Sequence, residues 1–308
     1  MRKTVKRILA AAVVLLVAGA ALAAVGFVMG GMKSVQLGPG GFYIADEANR
    51  LDVSKDFQTF DALDVEVSAC EIVLKEGDGY HVEIRNMGAR PPVVSLEDGV
   101  LTIRETPGLF SWTLPGNGSF GWWMADAPHI EIGYPEGASL GAVKLAASAS
   151  DIRIKNLRAD TLKVFCGAGS LKAESMAVSG LTVDMSAGNC DLSDVSAGRA
   201  ELSLSMGDLR ARRFVCDALE GHMDAGSTDI EGTLRGSTRI SASMGDVTLK
   251  TGLPESEYSY DLDVSMGNVA VNGNRLSNGG RLSDWNADAP NRIEVDASMG
   301  SVSVEFAE

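Results

Sequence analysis

The sequence predicts an all-β fold: a parallel β-solenoid with about 19 residues per coil, the period of an internal repeat, preceded by one N-terminal transmembrane helix. Three observations lead there. A small residue returns at Ser150, Gly169, Gly188, Gly207, Gly226 and Gly245, always at a step of 19 from the last. Apolar residues alternate with polar ones on both sides of each of these positions. Ahead of all this, the run from Ile8 to Met32 carries no charge.

The repeat is plainest in Ser205-Met206-Gly207-Asp208, Ser243-Met244-Gly245-Asp246, Ser265-Met266-Gly267-Asn268 and Ser298-Met299-Gly300-Ser301. The last two copies, at Gly267 and Gly300, follow longer steps than the others, so their excess is expected to loop out. Apolar or small residues recur seven, five and three places before the glycine and two, four and seven after it. The Gly188 copy, for example, reads Leu181, Val183, Met185, Cys190, Leu192 and Val195. Period-two alternation on each side of the glycine implies two short strands per repeat, each with one buried face. Gly169, Gly188, Gly207, Gly226, Gly245, Gly267 and Gly300 are then structural corners, where a side chain would obstruct the bend or the chain stacked above. A unit this short cannot bury its apolar face alone, so copies must stack and share one core. An antiparallel sandwich is the competing arrangement, but hairpins give no reason to hold one register through five successive steps.

From the N-terminus, residues 1–33 read as a basic cytoplasmic tip and an anchor. Arg2, Lys3, Lys6 and Arg7 precede an apolar run long enough to cross a bilayer, and they place the N-terminus inside and everything after Lys33 outside. Ala21-Leu22-Ala23 offers a signal cleavage site, but the apolar run continues past it, which favours a retained anchor. Residues 34–59 mix Gly, Asp, Asn and Lys and read as a juxtamembrane linker. Leu63, Val65, Val67, Cys70, Ile72 and Leu74 fit the repeat with Cys70 in the glycine slot, so the solenoid is expected over 60–308, with strands also at His81 to Arg85 and Val100 to Arg104. Insertions are expected at 106–127 and 272–292. The first carries Phe110, Trp112, Phe120, Trp122 and Trp123; it is either a flap covering an apolar edge or an exposed surface for binding. The flap is the favoured reading, with its outer rim the candidate contact surface.

The formal charge of −14 argues against nucleic acid as a partner. Cys70, Cys166, Cys190 and Cys216 form no C-x-x-C metal pattern, and same-slot stacking pairs none of them, so they read as small core residues. His81, His129 and His222 are far apart, fall in different slots and belong to no metal or nucleophile motif. After the glycine slot stand Asp151, Ser170, Asn189, Asp208, Ser227, Asp246, Asn268 and Ser301, a polar row expected to hydrogen-bond to the backbone of its own turn. Too few of them are carboxylates for a calcium ladder. No catalytic pair stands out, so no enzyme activity and no cofactor are expected.

The Ser-Met-Gly-Asp phrases, the stretch Leu63 to Leu74 and the strand-then-proline step His129-Ile130-Glu131-Ile132-Gly133-Tyr134-Pro135 together resemble the bacterial DUF4097 family of candidate adhesins. The resemblance covers roughly Phe60 to Phe306. It implies a fold similar to pectin-lyase-like β-helices and carries over no site residue, because the shared pattern is structural. The expected function is a membrane-anchored, extracytoplasmic binding or scaffolding module of the cell envelope, contacting a cell-wall glycan or an envelope protein. The alternatives are an accessory protein in envelope-stress sensing and a polysaccharide-active enzyme.

Overall fold

The computed structural model describes residues 35–38, 41–44, 52–85, 92–105, 128–277 and 279–307. The segment expected to span the membrane lies outside them. Among the described residues no helix is long and apolar enough to cross a membrane. The chain divides into two compact units, the smaller made of Met1–Leu51 and Pro107–Asp126. In it, β1 (Val35–Gly38) and β2 (Gly41–Ile44) pair antiparallel, with Val35 opposite Ile44.

The larger unit, Asp52–Thr106 with Ala127–Glu308, is all-β. It begins with the short strands β3 (Val53–Phe57), β4 (Ala62–Val67), β5 (Glu71–Gly77), β6 (Tyr80–Arg85), β7 (Val93–Glu97), β8 (Val100–Arg104) and β9 (His129–Pro135). Longer strands follow: β10 (Leu140–Lys155), β11 (Arg158–Met206), β12 (Leu209–Ala225), β13 (Thr228–Met244), β14 (Val247–Pro254) and β15 (Tyr258–Val271). The chain ends with β16 (Asn274–Ser277), β17 (Gly280–Asp284) and β18 (Asn291–Ala307). These sixteen strands join into one sheet.

Parallel pairing through the regular coils keeps the step of the sequence repeat. Leu145 lies beside Val164, Ile152 beside Leu171, Leu192 beside Ala211 and Ala211 beside Ile230. Each coil has three inward-facing runs rather than the two expected. In the Gly188 coil these are Leu181, Val183 and Met185, then Cys190 and Leu192, then Val195 and Ala197, all buried. The physical reason is parity. A buried residue followed by another at an odd spacing needs a turn between them, because a straight strand would put the second on the outer face. Such slips occur at Met185 to Cys190, Leu192 to Val195 and Ala197 to Ala200, which gives three corners per coil. Gly188, at φ 126°, makes the first, and Asp194, at φ 56°, makes the second.

The stacking order departs from the chain order at both ends. β18, the last strand, pairs on one side with β13 and β14 and on the other with β15, so the Gly300 coil sits inside the Gly267 coil. The insertion then supplies β16 and β17, which pair antiparallel to β15 along its remaining edge. At the opposite end β8 and β9 stack outside β4 and β5, and β7 and β6 pair antiparallel to them. β3, which falls within residues 34–59, then pairs with β6. Antiparallel strands thus close both ends of a parallel stack, where open coil edges would recruit other chains. Aromatic rings pack near the two ends: Phe60 meets Tyr80 edge-on at 4.7 Å, and Tyr258 meets Phe306 at 5.1 Å. The buried Tyr258 hydroxyl donates to the Leu234 carbonyl at 2.6 Å.

Candidate functional site

One edge of the stack carries most of the residues that the sequence singles out. Gly169, Gly188, Gly207, Gly226, Gly245, Gly300 and Gly267 follow one another along it, with φ between 126° and 142°. Their backbones touch. A Cβ on Gly188 would lie 1.6 Å from the Gly169 carbonyl oxygen, and one on Gly300 would lie 1.8 Å from that of Gly245. At these seven positions only glycine fits, because both the backbone conformation and the neighbouring carbonyl exclude a side chain, whereas Ser150, which starts the row beside Gly169, has no positive φ.

The rows beside the glycines face outward. Immediately before them, Met206, Ala225, Met244, Met299 and Met266 stand in register across five coils. The four methionines are 60%, 49%, 40% and 60% exposed in that order. One place earlier stands an exposed serine row that includes Ser205, Ser243, Ser298 and Ser265. Immediately after the glycines, the polar row bonds differently from expectation. Asp151 Oδ1 accepts from the Ser170 amide at 3.1 Å, Asp208 Oδ1 from the Ser227 amide at 3.0 Å, and Asp246 Oδ1 from the Ser301 amide at 2.8 Å. Each carboxylate reaches the next coil instead of its own turn, because parallel stacking brings that amide within hydrogen-bond distance.

The second corner is also a column. Asn156, Ser175, Asp194 and Arg213 have φ of 57°, 56°, 56° and 49° and recur at the same step as the glycines. The Arg213 guanidinium bonds Asp194 Oδ2 at 2.5 Å and holds that carboxyl below the usual carboxylate range. With Glu76, Glu136 and Arg158, the first three of these residues line an open groove of about 490 Å³.

Two of the three histidines, separate in sequence, both reach Glu131. β9 lies between β5 and β6, so Glu131 has Lys75 Nζ at 2.8 Å, His81 Nε2 at 3.5 Å and His129 Nε2 at 3.8 Å. His129 Nδ1 is 3.0 Å from Glu71, which also pairs with Arg153. The His81 ring occupies the space beside Gly133 that a Cβ would fill. Burial raises the Glu131 carboxyl, but hydrogen bonds from Lys75 and His81 and the charges of Lys75 and His129 outweigh it, leaving a lowered pKa. His222 is elsewhere, with Nδ1 2.8 Å from the Ser241 hydroxyl. Among the described residues no group of three His, Cys, Asp or Glu side chains is placed to hold a metal ion. All four cysteines are free and buried, and desolvation pushes the thiols of Cys70 and Cys190 up to about 12.

The aromatic set Phe110, Trp112, Phe120, Trp122 and Trp123 lies outside the described residues. The described chain stops at Glu105, whose Oε1 accepts from the Ser68 amide at 2.9 Å, and resumes at Pro128, whose carbonyl accepts from the Glu71 amide at 2.8 Å. In the other insertion Trp285 is exposed, with the Arg292 guanidinium 5.4 Å from its ring centre.

A model of the family Toastrack DUF4097 matches residues 60–305. The chain belongs to the Toastrack DUF4097 family. The matched Toastrack region begins at Phe60, where the buried core begins, and ends just before Phe306, where the core ends. Among solved structures the Toastrack chain is similar to a candidate adhesin from Bacteroides fragilis, at 13% identity over 85% of this chain and 99% of that one, with a TM-score of 0.47. A candidate cell adhesion protein from Clostridium sporogenes matches at 14% identity over 84% and 100%, with a TM-score of 0.28. A candidate lipid binding protein from Parabacteroides distasonis matches at 14% identity over 85% and 98%, with a TM-score of 0.37. No curated protein matches the chain.

Proposed function

We propose that this Toastrack chain is a β-solenoid that works, without catalysis, as an adhesin-type binding or scaffolding module of the cell envelope. Residues 1–33 anchor it in the membrane, with the N-terminus cytoplasmic and the solenoid outside. Its partner is a cell-wall glycan or an envelope protein, met along the glycine-corner edge. The observation that carries this reading is the set of serine, methionine and Asx/serine rows held in register on that edge. Stacked repeats make a long, stiff surface on which one side-chain pattern recurs, which suits an extended partner.

The test is retention of the detergent-solubilised full-length chain on purified cell wall and on envelope membranes. Wild type should be retained, and replacing Met206, Met244, Met266 and Met299 together with Ser should reduce retention while the circular dichroism stays that of wild type. Absence of wild-type retention on both materials would sink the reading. Protease shaving of intact cells checks the topology: the solenoid should be cut from outside, and its protection would reverse the assignment.

A further inference from the structure

We propose that Met244, Met299 and Met266 form a site for one soft monovalent cation of the cuprous class, held by three thioether sulfurs. The inference deepens the reading of the corner edge as a binding surface and rests on it only in that both use the outward methionine row.

Register is the first support. Met299 lies directly beside Met244 on one side and Met266 on the other, with coils about 4.8 Å apart. Met299 is central only because β18 enters the stack between β13 and β15. All three side chains are exposed, so the sulfurs are not committed to the core. Methionine is unbranched with three rotatable bonds, so the outer two side chains can lean over the central one without moving the backbone.

Residue identity is the second support. An outward strand position ordinarily favours Val, Ile, Thr or an aromatic residue. From Met206 to Met266 this row instead holds methionine in four coils and alanine in one. The group shared by the large members is the thioether, which is a soft, neutral ligand. Soft sulfur ligands select Cu(I), whereas oxygen ligands suit Mg²⁺ and Ca²⁺. Charge agrees with this choice. Arg281 stands beside Asp263 but is bonded to Asp261, so Asp263 with its β18 neighbour Asp296, and Asp246 after the Met244 corner, leave the surroundings negative on balance. Met206 is set apart from the three by Ala225, so it serves as an internal control.

The test uses the full-length chain in detergent, labelled with ¹³C at the methionine methyls and titrated with silver ion as an air-stable stand-in for Cu(I). One equivalent should move the methyl signals of Met244, Met299 and Met266 together while leaving Met206 and the buried Met185 in place. The variant M244L/M266L/M299L keeps the apolar bulk at exposed positions and removes only the sulfurs, so it should stay folded and lose the one-to-one binding. M206L should bind as wild type. Either no shift in wild type, or one-to-one binding that survives in the triple variant and so belongs to the buried thiols, overturns the site. Envelope retention is read separately: the triple leucine variant should keep it, and its absence in wild type defeats the docking reading whatever silver does.

Discussion

Gly300 stacks on Gly245, with the Gly245 carbonyl oxygen 1.8 Å from where a Gly300 Cβ would stand. Both a positive φ and a filled space therefore oppose a side chain there. Gly273 separates the two causes, since its φ is 79° but nothing lies within 4 Å of its would-be Cβ. Gly273→Ala should cost only the left-handed backbone term of roughly 1–2 kcal/mol. Gly300→Ala must also displace a stacked carbonyl and should cost clearly more in urea unfolding. Equal losses would show that the column is looser than its geometry.

At the second corner the reverse substitution should help. Ser175 is exposed with φ 56°, a conformation that costs an L-residue roughly 1–2 kcal/mol. Glycine removes that cost, offset by about 0.4–1 kcal/mol of extra unfolded-chain entropy. Ser175→Gly should therefore raise the unfolding free energy, by up to about 1.6 kcal/mol. A loss in the same urea assay would mean that the serine side chain supports the turn.

These two corners differ in how visible they were in the sequence. Glycine announces the first, because one residue type recurs at a constant step. The second is held by Asn156, Ser175, Asp194 and Arg213, whose identities share no obvious rule. Its trace was the odd spacing from Leu192 to Val195, a phase slip within the apolar pattern itself, which forces a third side. The stacking order was out of reach. Nothing local distinguishes the Gly300 coil from the Gly267 coil, and their exchange depends on which coil edge β16 and β17 close. The sharing of Glu131 by His81 and His129 depends likewise on β9 lying between β5 and β6, a long-range pairing.

The Glu131 cluster gives a pH dependence of definite sign. Its folded-state pKa lies below that of an unfolded glutamate, about 4.3. It therefore binds its proton more weakly in the folded protein and contributes stability that is fully present above that unfolded value and is lost as pH falls through the lower folded one. Wild type should lose stability on acidification below about pH 4.3 more steeply than Glu131→Gln, which has no proton to gain there. Urea melts at several acidic pH values decide it, and parallel curves would remove Glu131 from the account.

The last prediction concerns the closed end of the stack. β15 pairs with β18 on one edge, and its other edge is occupied by β17, with Leu262 opposite Leu282, and by β16, with Val269 opposite Leu276. Arg281 fastens the closure through Asp261, whose carboxyl it holds below the usual range. Without these strands, the free amides and carbonyls of β15 would present a template for another chain. Removing residues 274–284 and rejoining the chain should leave the coil core and its far-ultraviolet dichroism intact, because Val264, Val269 and Val295 remain packed among the stacked coils. It should, however, introduce concentration-dependent self-association in sedimentation experiments that wild type lacks under the same conditions. Unfolding of the shortened chain would mean that the closure supports the core itself, and a sedimentation profile matching wild type at every concentration would mean that the β15 edge needs no cover.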